Sequence, residues 1–118
     1  MRILIVDDNA AMRRLIRAVL NAVGEIHECA DGDEVLAVFA RYEPDWVVMD
    51  VQMKRLGGIR ATRLLKESFP AARVVMLSKH ADDDVRAAAR EAGACGYLVK
   101  DDLGALRRFL LETTNYQE

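Results

Sequence analysis

The chain sets two carboxylates side by side at Asp7-Asp8, a third at Asp50, a hydroxyl at Ser78 and an ammonium at Lys100. Each follows a short apolar run: "ILIV" before Asp7, "WVVM" before Asp50, "RVVML" before Ser78 and "CGYLV" before Lys100. Clustered carboxylates repel one another and raise a pKa unless something neutralises them. A hard divalent cation does this: Mg²⁺ takes oxygen ligands, uses one or two carboxylates and keeps waters or phosphate oxygens. An ammonium and a hydroxyl beside one free carboxylate complete a set suited to phosphoryl transfer, because the equatorial oxygens of the transferring group need neutralising. Asp50 is the candidate nucleophile, attacking phosphorus to give an aspartyl phosphate. Taken singly, each residue has a plainer reading. Asp7-Asp8 would be a solvated loop with Asp8 or Asn9 capping a helix, Asp50 a turn residue, Ser78 a loop cap and Lys100 a surface lysine. Joined at the ends of four apolar runs, the site reading outweighs these.

Elements must bring such distant residues together. Arg2–Val6 reads as a strand apolar enough to be buried on both faces. Glu25–Cys29 is a shorter, weaker one, and residues 46–49, 73–77 and 95–99 give three more. Between them lie helical patterns. Met12, Leu15, Ile16, Val19, Leu20 and Val23 recur at helical spacing, closed by Gly24. Residues 33–42 turn Val35, Leu36 and Phe39 inward, and Pro44 follows. Gly57-Gly58 precede a helix with Ile59, Thr62, Leu65 and Phe69, stopped at Pro70. Residues 82–92 form an alanine-rich helix opened by three acids, which suit its positive end, and closed by Gly93. Leu103, Leu106, Phe109 and Leu110 mark the last helix, with a polar tail expected to fray after Glu112. Alternating strands and helices imply one α/β domain, a doubly wound parallel sheet. A flavodoxin-like strand order, 2-1-3-4-5, would set the first and third strands side by side, with ligands at their carboxyl ends.

Composition narrows the classes. In 118 residues, 52% are apolar and 31% charged, enough for one core and against disorder. A net charge of −2 gives no footprint for nucleic acid. No apolar run reaches the roughly 20 residues of a membrane span, and no signal-peptide pattern opens the chain. Cys29 and Cys95 lie far apart in apolar contexts, so both are expected to be buried and the compartment reducing, hence cytoplasmic. His27 and His80 have no Cys or His partner at ligand spacing. A flavin carrier of this architecture would want a Ser/Thr-rich phosphate loop after the first strand, and "DDNAAMRR" is the opposite in charge.

"ILIVDDN", "VVMDVQM", "VVMLSKH" and "GYLVK", in this order, resemble the receiver domain of bacterial response regulators, over residues 2 to about 112. "AREAGACGYLVK" and "LVKDD" are similar to receivers of helix-turn-helix transcription regulators. The resemblance implies a switch, phosphorylated by a histidine kinase or phosphotransfer protein, rather than an enzyme acting on an external substrate. It implies that Asp50 is the phosphoacceptor, and that Asp7 and Asp8 bind Mg²⁺, one directly and the other largely through water. The Gln52 backbone carbonyl would be a further ligand. Ser78 would bond the phosphoryl oxygen and shift on activation, Lys100 would be the lysine of the family pattern, and Tyr97 would report the shift by its rotamer. Gln52 and His80 would tune the lifetime of the phosphoryl group. Output would pass through the face of the fourth helix, fifth strand and fifth helix to a partner, a second copy or a tethered DNA-binding domain, with none in this chain. Arg13, Arg14 and Arg17 read as a solvated helix face more than as a kinase-docking patch. Three positions depart from the family pattern: Lys54 stands where proline is usual, Gly57 where aspartate is usual, and Lys79 where a small residue admits donors. Lys54 and Lys79 motivate the rival expectation of a phosphorylation-independent interaction module.

Overall fold

The computed structural model describes the backbone of residues 1–116 and the side chains of residues 1–113. Among the described residues, five parallel strands alternate with five helices: β1 (Arg2–Val6), α1 (Ala10–Leu20), β2 (Glu25–Cys29), α2 (Val35–Tyr42, after a 3-10 turn at Gly32–Glu34), β3 (Trp46–Asp50), α3 (Gly58–Ser68), β4 (Val74–Ser78), α4 (Asp83–Ala92), β5 (Gly96–Val99) and α5 (Leu103–Tyr116). The sheet order is β2-β1-β3-β4-β5. This is the flavodoxin-like arrangement expected from the sequence, with β1 beside β3 at the switch point. Residues 117 and 118, the end of the tail expected to fray, lie outside the described residues; residues 113–116 continue α5 as helix.

Two apolar layers flank the sheet, and the strand period of two divides them. Leu4, Val6, Val47, Met49, Val74 and Met76 point to α2, α3 and α4. Ile3, Ile5, Trp46, Val48, Val75 and Leu77 point to α1 and α5. Ile3 through Val6 are each 0% exposed, so β1 has no solvent face, and its continuous aliphatic run follows from that.

Local chemistry fixes the helix ends. Asn9 accepts the Met12 N–H at 3.0 Å and starts α1. The Asp82 side chain accepts from Asp84 and Val85 at the start of α4, and Gly93, at φ 109°, closes it in the left-handed region where a Cβ is strained. Edge strand β2 alternates less than it is clasped. From α1, Arg13 and Arg17 donate to the two carboxylate oxygens of Glu28 at 2.9 and 2.7 Å. Burial alone would raise the Glu28 pKa, but these two guanidinium groups outweigh it and hold the carboxyl below its ordinary range. Arg13 and Arg17 are therefore not a freely solvated face; Arg14 is exposed.

Three inward expectations need correction. Leu15 is 55% exposed, because the buried stripe of α1 runs through Ile16 and Leu20 and its neighbour falls off the edge. Leu36 is also exposed, since Val35 takes the position against the sheet. Cys95 is exposed rather than buried: it precedes β5, which begins one residue later at Gly96. Cys29 is buried, and burial, with the charge of Glu34, pushes its thiol up to about 11. Alkylation of the native protein at mildly alkaline pH is therefore expected to modify Cys95 alone, and Cys29 only after denaturation. Peptide mass mapping checks this, and labelling of native Cys29 would contradict the buried placement.

Candidate functional site

Every expected polar group sits at the carboxyl edge of the sheet, and the strand ladder itself carries them there. Asp50 is the last residue of β3, in register with Leu77, and Ser78 the last of β4, in register with Val99. Hydrogen bonds of the ladder type continue one residue further at the other two. The Asp7 N–H donates to Cys29 O at 3.1 Å, and the Lys100 N–H donates to Ser78 O at 2.8 Å. The site is thus built on the rigid sheet rather than on free loops.

Asp7, Asp50 and Ser78 are buried, at 1%, 2% and 1% exposure, and Asp8 is exposed. Lys100 Nζ lies 2.8 Å from Asp50 Oδ1 and 3.1 Å from Asp7 Oδ2, so one ammonium serves two buried carboxylates. The other Asp7 oxygen accepts the Asn9 N–H at 2.8 Å. Asp50 Oδ1 also accepts the Gln52 N–H at 3.2 Å. Gln52 Nε2 stands 3.5 Å from Ser78 Oγ, at the limit of a hydrogen bond, and the His80 N–H donates to the same hydroxyl at 3.3 Å. Gln52, Lys54, Lys79 and His80 are exposed, and Gln52, Lys54 and Lys79 line, with the three acids and Lys100, a cleft of about 380 Å³. Tyr97 is buried in the α4 layer; its hydroxyl donates to His80 O at 2.9 Å, and the Arg86 guanidinium stacks 4.9 Å from its ring centre. His27 stands apart from the cleft, stacked on Tyr42 at 3.8 Å.

At the floor of the cleft the buried carboxylates are incompletely neutralised by Lys100. Burial pushes the Asp50 carboxyl above its ordinary range; the Lys100 hydrogen bond opposes this, and the Asp7 charge adds to it. Burial alone would lower the Lys100 pKa, but Asp50 and then Asp7 outweigh it and raise it. Ionised Asp50 therefore costs folding free energy above the ordinary aspartate pKa, and that cost is relieved as pH falls through its raised value. The Lys100 contribution is present below the ordinary lysine pKa and is lost as pH rises through its raised value. Ligand oxygens of Asp7, Asp8 and Asp50 all lie within 4.8 Å of one another. Three carboxylates, two of which share a single lysine, leave oxygen donors of the kind a hard divalent ion takes, so the residues fit Mg²⁺.

Three supports were not legible in the sequence. The Lys54 N–H donates to Asp8 Oδ2 at 2.9 Å, a bond that proline at this position could not make. Arg55 pairs with Asp31 at 3.1 Å and Asp33 at 3.0 Å, tying the loop after β3 to the loop after β2. Arg13 donates to the Asp7 carbonyl at 2.6 Å. Only the Asn9–Asp7 turn had a local signal, since aspartate commonly accepts the N–H two residues on.

Gly58 explains how α3 can start so near Asp50. Its N–H donates to Val51 O at 3.0 Å, and a Cβ there would overlap the Asp50 carbonyl oxygen. The adjacent Gly57 has no atom nearer than 3.9 Å to its own Cβ position. Gly58→Ala is expected to destabilise by about 1–3 kcal/mol through overpacking, with Gly57→Ala near neutral. Chemical denaturation of the pair checks this; equal effects would show that the backbone yields.

The response regulator receiver domain profile matches residues 3–110, and the chain belongs to that family. Response regulator MprA of Mycobacterium sp. (strain KMS) is 38% identical over 99% of this chain and 53% of its own length. The chemotaxis protein CheY of Halobacterium salinarum is 36% identical over 84% of this chain and 83% of its own. Transcriptional regulatory protein DegU of Brevibacillus brevis is 32% identical over 85% of this chain but 44% of its own length, so the chain spans about half of such relatives. Among solved structures, a LuxR-family two-component response regulator from Aurantimonas sp. superposes with a TM-score of 0.88 at 32% identity, covering 95% of this chain and 83% of that one. No helix among the described residues is long and apolar enough to cross a membrane.

Proposed function

We propose that the chain is a phosphorylation-dependent switch in which Asp50 accepts a phosphoryl group from a histidine kinase or phosphotransfer protein. The observation that carries this is the ionic junction of Lys100 with Asp50 and Asp7, at the carboxyl edge of three parallel strands. An Asp50 carboxylate oxygen attacks phosphorus in line. The donor P–N bond breaks, and its electron pair returns to the imidazole, which takes a proton from solvent. Asp7, Asp8, Asp50 and the Gln52 carbonyl would hold Mg²⁺, whose charge offsets that of the phosphoryl oxygens. Lys100 exchanges its hold on Asp50 for a phosphoryl oxygen, and Ser78 donates to another. The Gln52 and His80 side chains at the rim govern the approach of water and hence the lifetime of the acyl phosphate.

Moving Ser78 alters the bond its hydroxyl accepts from the His80 N–H, and the same His80 carries the carbonyl that holds Tyr97. That short chain of contacts supports transmission to the face of α4, β5 and α5, where it would shift a two-state equilibrium. The output is a partner, a second copy or a tethered DNA-binding domain, with no nucleic acid bound by this domain itself. The switch would work in the cytoplasm, where it assists only its own phosphorylation and dephosphorylation.

The test is incubation with a small phosphodonor with and without Mg²⁺, read by intact mass. One phosphoryl group that requires the metal and is released by hydroxylamine, as an acyl phosphate is, supports the switch. Failure to label under any donor would favour a phosphorylation-independent interaction module.

A further inference from the structure

The cleft around Asp50 is lined by two lysines besides Lys100. Asp7, Asp8 and Asp50 line it, and so do Lys54, Lys79 and Lys100, while its other lining residues are neutral. Formal charge in the cleft therefore sums to zero, three acids against three ammonium groups, before any ion enters. Lys100 is committed to Asp7 and Asp50. The Lys54 and Lys79 ammonium groups make no ion pair among the described residues. Both side chains are exposed and come from the loops after β3 and β4, neighbouring strands of the sheet.

Unpaired cations at the mouth of a cleft act on the charge of what enters. They raise the local concentration of an anion, more steeply for a dianion than a monoanion, and salt screens the effect. We propose that Lys79, seconded by Lys54, selects the phosphodonor by charge, favouring small dianionic acyl phosphates over donors of lower charge. This rests on Asp50 being the phosphoacceptor. With acetyl phosphate, a dianion at neutral pH, an Asp50 oxygen bonds to phosphorus, the P–O bond to the acetyl group breaks, and acetate leaves with the electron pair. With phosphoramidate, a net monoanion, the P–N bond breaks and ammonia leaves with the hydrogens already on nitrogen. Neither step needs an oxidant, a reductant or another reactant.

The experiment compares labelling rates of wild type, Lys79→Ala, Lys79→Glu and Lys79→Arg with both donors across ionic strength. Lys79→Ala is expected to lower the acetyl phosphate rate about tenfold while changing the phosphoramidate rate much less. Lys79→Glu should go further, Lys79→Arg should keep the wild-type ratio, and the salt dependence seen with acetyl phosphate should flatten in Lys79→Ala. An unchanged donor ratio overturns the proposal. So does a rise with both donors in Lys79→Ala, which would make the lysine an obstruction. A parallel titration of the metal-free proteins with inorganic phosphate, followed by NMR, separates the two layers of inference. No labelling of wild type by either donor, with phosphate binding that is lost in Lys79→Ala, overturns the phosphoacceptor reading and supports an anion site. No labelling and no phosphate binding overturns both.

Discussion

Asp50→Ala is expected to carry no phosphoryl group under conditions in which the wild-type chain acquires one. Asp7 and Asp8 bear carboxylates in the same cleft, so the distinction among the three is the substance of the prediction. Both Asp7 oxygens are already engaged, one by Lys100 and the other by the Asn9 N–H, so only their remaining lone pairs are left for a metal ion. Asp8 is exposed and has one oxygen on the Lys54 N–H, which suits it to hold a hydrated ion. Asp50 alone stands in the middle of the sheet edge, fixed by the ladder, with Lys100 against one of its oxygens. Asp7→Asn and Asp8→Asn should therefore label slowly, through weakened metal binding, rather than not at all. Peptide mapping of the label checks this directly. A phosphoryl group on Asp7 or Asp8 in the wild-type chain would sink the assignment.

Lys100→Met should have the largest effect on stability. It leaves two buried carboxylates, Asp7 and Asp50, with no ammonium between them. Breaking a buried ion pair from one side costs about 3–5 kcal/mol, because the abandoned charge stays desolvated. For a domain of this size, that is a fall in Tm of roughly 10–20 °C. The sign with pH follows from Asp50, which burial already pushes toward its neutral form. Without Lys100 its pKa rises further, so the deficit should shrink as pH falls and Asp50 takes up a proton. Added Mg²⁺ should recover part of the loss by binding the folded state alone. Thermal denaturation of both proteins across pH, with and without metal, tests this. Equal Tm values at neutral pH would mean that Lys100 is not the counter-charge of the site.

Much of this was legible in the sequence, for a physical reason. A parallel sheet covered on both faces needs continuous aliphatic strands, so "ILIV" and "WVVM" could hardly be anything else, and their polar ends mark the edge of burial. Asp7 and Lys100 are 93 residues apart, yet their types and their places after strands anticipated the contact at 3.1 Å. What escaped were contacts whose partners lack any local pattern. A backbone N–H carries no sequence label, so the Lys54 to Asp8 bond could not be read. The Arg13 and Arg17 grip on Glu28 joins a helix face to a strand face, whose relative rotation only packing decides. The exposures of Leu15 and Cys95 were misread for the opposite reason, because apolar type was taken for burial.

The Glu28 clasp has a consequence away from the cleft. Strand β2 lies at the margin of the sheet, where unpaired backbone groups invite a strand from another molecule. Glu25, His27 and Glu28 are exposed there, and Arg13 and Arg17 hold Glu28 in place from α1. A second copy approaching this margin would meet charged side chains and a strand already fastened to its own helix. A strand so fastened is a poorer template for backbone pairing between molecules, which leaves association to surfaces where side chains, and so specificity, decide the outcome.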